Sequence, residues 1–507
     1  MPIYGEFRYG EGKYGASSID RAHLALKVDW DGNGTYDHDN LALFLESLSI
    51  TRGRPYLIRK DGKGFEKMSV GKLRGTLTNT DRRFNVENVT SPYYPYIPVG
   101  KMMQLLISTP TGLRTSVFTG LIEDIVPDSR TASKASISCE DGVRFLDQAA
   151  SVGVQSSLRA DQIIPLALAA IQWPSQWGSD LDIGADVKPY WWMDQANALN
   201  ALHDLVTSEL GTLWIGKDGM LKFRSRYASS PITASLTTND FLLGSIETPR
   251  PWEMVRNSLR VNVYPPVLQT AVEVWKWQET PVQLAAGESR TVWANFSYNN
   301  ESVPVETLIT PAAGTDYTAN SASDGSGANL TANITVTVLS VFSGSAKLQL
   351  TNTGGSSAWI TLMRTRADAI TIPNETFVEA EDTTSISRYQ RRTFELTSRF
   401  FQSSEAAQTL TDFMVSFLAS PRMYVRGTIS DNPSLQFGLD LGDAVELSIP
   451  EIGVYGVYRV AWIDHKNRNR SVSDFNTTFL FEPFFDLSGN YWKFDLAQVG
   501  ISTIYAP

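Results

Sequence analysis

Only one of the 507 residues is cysteine, Cys139, and only four are histidine. A lone cysteine excludes an internal disulfide framework and any cysteine-based zinc site, and it fits folding in a reducing cytoplasm. Its alternating neighbours place Cys139 in a buried strand. The histidines His23, His38, His203 and His465 include no pair at H-x-x-x-H spacing, and the chain has neither a G-x-S-x-G elbow nor a G-x-x-x-x-G-K-[ST] loop. Zinc-protease, serine-hydrolase and P-loop chemistry are therefore without their local signatures. No apolar run approaches the ~20 residues of a membrane span, and no basic stretch followed by an apolar core opens the chain. The expectation is a protein neither exported by the secretory route nor anchored, so sequons such as that at Asn88 carry no weight. Excess positive charge is missing too: the net charge of −10 argues against nucleic acid as a main partner.

What is present favours β structure. Hydrophobic residues make up 42%, enough for packed cores, while 24 prolines and 36 glycines punctuate short segments. The length predicts about three or four domains. At the start stand three Tyr-Gly pairs, Tyr4-Gly5, Tyr9-Gly10 and Tyr14-Gly15. Gly10, Gly12 and Gly15 spell G-x-G-x-x-G, but no strand precedes them and no helical periodicity follows, so the dinucleotide reading lacks its strand and helix. Residues 1–20 instead read as an extended arm whose tyrosines need a surface to lie on. Next, Val28 to Asp37 (VDWDGNGTYD) puts Asp29, Asp31, Asn33 and Asp37 at positions 1, 3, 5 and 9 of a calcium-type loop. Position 12 is Asn40 rather than a bidentate Glu, and the flanks read as strands. A hairpin turn with positive φ at Gly32, Asn33 and Gly34 is favoured over a metal site there, and neither a catalytic residue nor an organic cofactor is expected.

Along the chain, short alternating strands from about 21 to 150 suggest a compact barrel: 22–28, 40–45, Val70 to Thr76, Met103 to Ile107 and Ser136 to Cys139. Residues 151–254 contain two helices. One enters at Asp161 and ends at Trp173. The other is capped by Asp194, apolar at Leu199, Leu202, Leu205 and Val206, and stopped by Gly211 as a left-handed residue. A hairpin turning at Lys217 to Gly219 follows, with Trp214 and Phe223 in its arms. His203, beside the apolar face, reads as a partly buried, satisfied residue. The Thr, Ser, Asn and Gly-rich stretch 269–375 reads as an inserted immunoglobulin-like β-sandwich, dividing a second domain into 255–268 and 376–485. That domain takes a strand from Ser387 to Leu396 and a helix from Ser404 to Ala419 with Leu410, Phe413, Met414, Phe417 and Leu418 on one face. Its sheet uses Tyr424 to Ile429, Ala444 to Ile449, Val457 to Asp464 and Phe475 to Phe481. Residues 486–507 form an aromatic tail. One charge feature stands out: Thr51 to Arg83 holds ten Lys or Arg against Asp61, Glu66 and Asp81. It serves either to dock on an acidic protein neighbour or as a solvated face.

Several of these features recur together: the Tyr-Gly start, VDWDGNG, Arg52-Gly53-Arg54, the G-x-I-x-D-I at Gly120 to Ile125, and the strand ending in Cys139, Glu140, Asp141 and Gly142. With the closing block Leu441 to Leu447 (LGDAVEL), Tyr458 to His465 (YRVAWIDH) and Phe475 to Leu480 (FNTTFL), the chain resembles baseplate hub and tail-tip proteins of long-tailed, siphovirus-like bacteriophages. The resemblance spans about residues 20 to 485. It implies a mainly β protein with a few helices (α+β), with two tube-like β-barrel domains, a helix-containing middle domain and the inserted sandwich. It further implies a structural, non-enzymatic hub made in the host cytoplasm and resident at the virion tail tip. There a homotrimer caps the tail tube and meets a distal tail ring protein, the tape measure protein and a tail fibre or receptor-binding protein. Two other readings stand beside it. One is a receptor- or carbohydrate-binding tail fibre, in which the tryptophans and the sandwich provide stacking surfaces; the other is a cell-wall glycan hydrolase with paired carboxylates.

Overall fold

A computed structural model describes residues 23–36, 41–95, 100–108, 114–128, 133–227, 231–467 and 475–483. The Tyr-Gly arm, Asp37, His38 and the aromatic tail lie outside the described residues. The fold is mainly β with a few helices, as expected. Its largest element is an eleven-stranded sheet that no described strand closes into a ring. Six strands from the first part of the chain lie in the order His23–Val28, Met102–Ser108, Arg114–Pro127, Lys134–Glu140, Ser69–Thr78, Leu45–Gly53. Leu45–Gly53 then pairs antiparallel with Val454–Asn467, joining the early strands to the late ones. Val454–Asn467 is long enough to serve two partners on that edge: its C-terminal half takes Leu45–Gly53 and its N-terminal half takes Ala444–Ile449. Phe475–Pro483 occupies its other edge, Val425–Ser430 lies beyond that, and Ile232–Thr237 pairs in parallel with Ala444–Ile449.

Strict alternation explains why these segments are strands. In Met102–Ser108 the residues Met103, Leu105 and Ile107 are buried while their neighbours are not, so one face enters the core and the other stays wet. Cys139 is buried in its strand, as read from sequence. The hairpin at Lys217 to Gly219 also forms, pairing Thr212–Ile215 with Leu221–Arg224.

Other expectations are corrected. The Asp29 to Asp37 segment is not a hairpin tip: His23–Val28 pairs with Met102–Ser108, five places away from Leu45–Gly53. The stretch at 41–44 is a 3-10 turn rather than a strand. The middle helix Ala198–Thr207 is capped by Asn197, whose side chain accepts from the Asn200 amide, and not by Asp194. Asp194 sits in the strand Val187–Asn197 because bulged pairing with Ala149–Arg159 continues through it. The left-handed residue beyond that helix is Leu210, φ 54°, rather than Gly211. Thr383–Tyr389 is a helix capped by Asp382, and the strand predicted from Ser387 begins only at Thr393.

The helix Ser404–Leu418 starts at its Ser403 cap and buries Ala407, Leu410, Thr411, Met414 and Leu418. It lies against a three-stranded sheet of Ser258–Val263, Thr376–Glu381 and Thr393–Thr397. Ser258–Val263 pairs with Thr376–Glu381, and just beyond it Val267–Lys276 pairs with Ala358–Thr371. The chain thus leaves for the 267–371 region and returns from it along one two-stranded ribbon. That region holds sheets of five, three and two strands around a core containing Phe296, Leu348, Leu350, Ile360 and Met363.

Candidate functional site

The strand pair joining early and late chain carries a buried ionic centre. Alternation along Leu45–Gly53 sends Leu48, Ile50 and Arg52 inward, so the guanidinium of Arg52 is only 2% exposed. Its Nη2 donates to Asp440 Oδ1 at 2.8 Å. Asp440 stands between Leu439 and Leu441, and its Oδ2 accepts from the Lys217 amide at 3.1 Å, with Lys222 Nζ 3.5 Å away. The Asp440 amide donates to Asp443. Lys217 Nζ donates to the carbonyls of Phe437 and Gly438, and the Lys217 carbonyl accepts from Ser116 and Thr119. Three chain segments therefore meet at one carboxylate: the early strands, the middle hairpin and the late block.

Burial alone would push the Asp440 carboxyl up, but Arg52, Lys222 and Lys217 overcome it and hold the group at about 2. Nearby, burial drives Asp141 up to about 7 although its carboxylate accepts the Val143 amide. His465, stacked on Phe437 at 5.2 Å and bonded to Thr477 at 2.9 Å, is pushed down to about 3 by burial and by the Arg52 and Lys217 cations. A second buried pair, Arg54 to Glu482 at 2.7 Å, repeats the connection two residues on.

Close approach at the junction requires glycine. Gly53 adopts φ +107°, and a Cβ there would stand 2.2 Å from the Ala461 carbonyl. At Gly71 a Cβ would collide with the Asp141 carboxylate.

These contacts change the reading of the basic run. Arg52 and Arg54 neither dock nor face solvent; they are interior partners of acidic residues from the far end of the chain. Arg59, Lys60, Lys63 and Lys67 remain exposed. His203 is half-buried, as expected, and lines a cleft of about 860 Å³, measured out to its open mouth, between the middle helix, Ser404–Leu418 and the basic run. Burial, then Lys67 and Arg54, push its imidazole down to about 4, so it is neutral at pH 7. Elsewhere Arg226 clamps Asp186 through its Nη1 and Nη2, at 2.9 and 2.8 Å, and donates to the Glu209 carbonyl.

At the calcium-type loop, Asp29 is buried and its two oxygens accept the amides of Gly32, Asn33 and Gly34. Asp31 accepts from Asn33, whose side chain in turn accepts from Thr35. Positive φ falls on Gly32 and Gly34, not on Asn33. Asp37 is outside the described residues, and among the described residues no three His, Cys, Asp or Glu gather as a metal site. Nor is any described helix long and apolar enough to cross a membrane.

No family model and no curated protein matches the sequence. Solved structures do. A tail protein from Neisseria meningitidis MC58 superposes with a TM-score of 0.50 at 11% identity, covering 91% of this chain and 97% of its own. The 43 kDa tail protein of prophage MuSo2 from Shewanella oneidensis gives 0.47 at 12% identity, over 91% and 98% of the two chains. Prophage tail protein gp18 from Listeria monocytogenes EGD-e gives 0.41 at 7%, over 90% and 94%. At a TM-score of 0.50 over nearly the whole of both chains, this chain shares the fold of the Neisseria tail protein, as the resemblance carried by the sequence motifs led one to expect.

Proposed function

We propose that this chain is a structural hub of a phage tail tip, capping the tail tube as a trimer. The observation that carries the reading is the pairing of Leu45–Gly53 with Val454–Asn467, locked by Arg52 and Asp440. It makes one continuous sheet of strand sets from the two ends of the chain, which suits a part that must hold a ring shape under load. Two such sets per chain, repeated threefold, would offer six similar units to a sixfold tube. In this reading the hub meets a distal tail ring protein above and the tape measure protein inside. The 267–371 region, leaving and re-entering along one ribbon, is the part that reaches fibres or receptor-binding proteins. The consumption of the junction's charges in mutual pairs supports a mechanical over a catalytic role.

Electron microscopy of assembled particles labelled with an antibody against this chain tests the proposal. Label at the distal end of the tail is expected. Label along the shaft, or none on particles that contain the chain by mass spectrometry, would overturn it.

A further inference from the structure

One sheet of the 267–371 region exposes an aromatic ring on its outward face. It is built from Ser289–Asn295, Ser345–Asn352 and Ile334–Val341. Ala346, Leu348 and Leu350 point into the core, so Lys347 and Gln349 point out, as do Thr291, Trp293 and Thr337 on the flanking strands. Register sets Trp293 beside Lys347, and Gln349 between Thr291 and Thr337. The indole of Trp293 is 52% exposed and yet held in place: Phe342 stacks with it at 6.0 Å and 28°, and the Lys347 ammonium lies 5.7 Å from its ring. The outward residues around it carry no carboxylate. Thr291, Thr337 and Gln349 make no side-chain hydrogen bond to other described residues.

We infer that this face binds an uncharged linear glycan, with one sugar ring stacked on Trp293. A pyranose presents a flat C–H face edged by hydroxyls. The electron-rich face of an indole attracts such polarised C–H groups, and a fixed ring loses little entropy on contact. Around that ring the site offers an ammonium, an amide and two hydroxyls, donors and acceptors that sugar hydroxyls can meet in place of water. Neighbouring strands stand ~4.8 Å apart, about the width of a sugar ring, so a chain crossing the sheet from Trp293 passes over Lys347 toward the outer strand. Charge complementarity sets the class: with no carboxylate to pair a cationic partner and a single ammonium already occupied by the indole, the face matches a neutral polyhydroxylated chain. Leu339 and Val341 are also about half exposed on the outer strand, so a protein partner is the competing occupant, and a change confined to the oligomeric state on Trp293→Ala would reveal it.

The inference does not depend on the tail-tip reading, and its failure would leave that reading in place. The test is calorimetric titration of the purified full chain with hexasaccharides of β-1,4-glucose, α-1,4-glucose and β-1,4-N-acetylglucosamine. At least one should saturate, Trp293→Ala should weaken it about tenfold at unchanged melting temperature, and Trp293→Phe should retain most of the affinity. Gln349→Ala, remote from the stacked ring, should weaken it about threefold. Absence of saturation with all three sugars at millimolar concentration, or binding that survives Trp293→Ala, would overturn the assignment. So would a Trp293→Ala variant that changes only the oligomeric state.

Discussion

Replacing Asp440 with Asn should loosen the junction of the early strands, the middle hairpin and the late block in one step. Asp440 is the one hydrogen-bond partner of the Arg52 side chain among the described residues, and Nε and Nη1 of that guanidinium have none. An amide can still accept from Arg52, but its NH2 group would then face the Lys217 amide and the Lys222 ammonium, donor against donor. Holding the carboxyl at about 2 instead of 3.8 corresponds to a few kcal/mol, on the order of 2, at neutral pH. Removing one member of a buried pair typically costs about 3–5 kcal/mol, because the other charge stays buried. The expected loss therefore lies between about 2 and 5 kcal/mol. Because the folded pKa lies below the unfolded one, the wild-type contribution is complete above about pH 4 and disappears toward pH 2, so the two proteins should converge in acid. Urea unfolding followed by tryptophan fluorescence suits the assay, since Trp214 packs beside Gly442 in the same block. The Arg52→Met single and double variants complete a cycle, with a coupling of at least ~1.5 kcal/mol expected. A loss below ~1 kcal/mol for Asp440→Asn, or a coupling near zero, would refute the view that this pair locks the two strand sets together.

Other consequences follow from the same geometry. Gly53→Ala places a Cβ 2.2 Å from the Ala461 carbonyl at a left-handed backbone angle, so the variant should lose more than ~3 kcal/mol or fail to fold; near-wild-type resistance to limited proteolysis would contradict this. His465, held neutral with its folded pKa at about 3, contributes stability above about pH 6.5 that is lost as pH falls toward 3. His465→Gln should flatten the melting temperature between pH 6.5 and 4, and an unchanged slope would count against the burial argument. At the Asp29 loop, where the carboxylate already accepts three backbone amides, 1 mM calcium should leave the melting temperature unchanged. A rise of several degrees would establish a metal site instead.

Much of the fold was legible because its signals are local. Met103, Leu105 and Ile107 alternate, Leu410, Met414 and Leu418 share one face of their helix, and the turn at Lys217 to Gly219 is fixed by its own residues. The ionic centre was not legible, because Arg52 and Asp440 are 388 residues apart and nothing near either names the other. A trace was present all the same. Leu48, Ile50 and Arg52 continue one inward alternation, and Asp440 sits between two leucines, so each charge occupied an apolar pattern. Counting the basic run as surface charge overlooked that period. Pairing order was hidden for the same reason: His23–Val28 and Leu45–Gly53 are adjacent in sequence, yet four strands intervene between them in the sheet.

The hub reading stands or falls on assembly, which mass photometry of the purified chain, alone and with the distal ring protein, measures directly. Three copies of the 56.1 kDa chain should give a species of about 168 kDa that binds the ring. A chain that stays at 56.1 kDa at micromolar concentration, with and without the ring protein, would contradict the account.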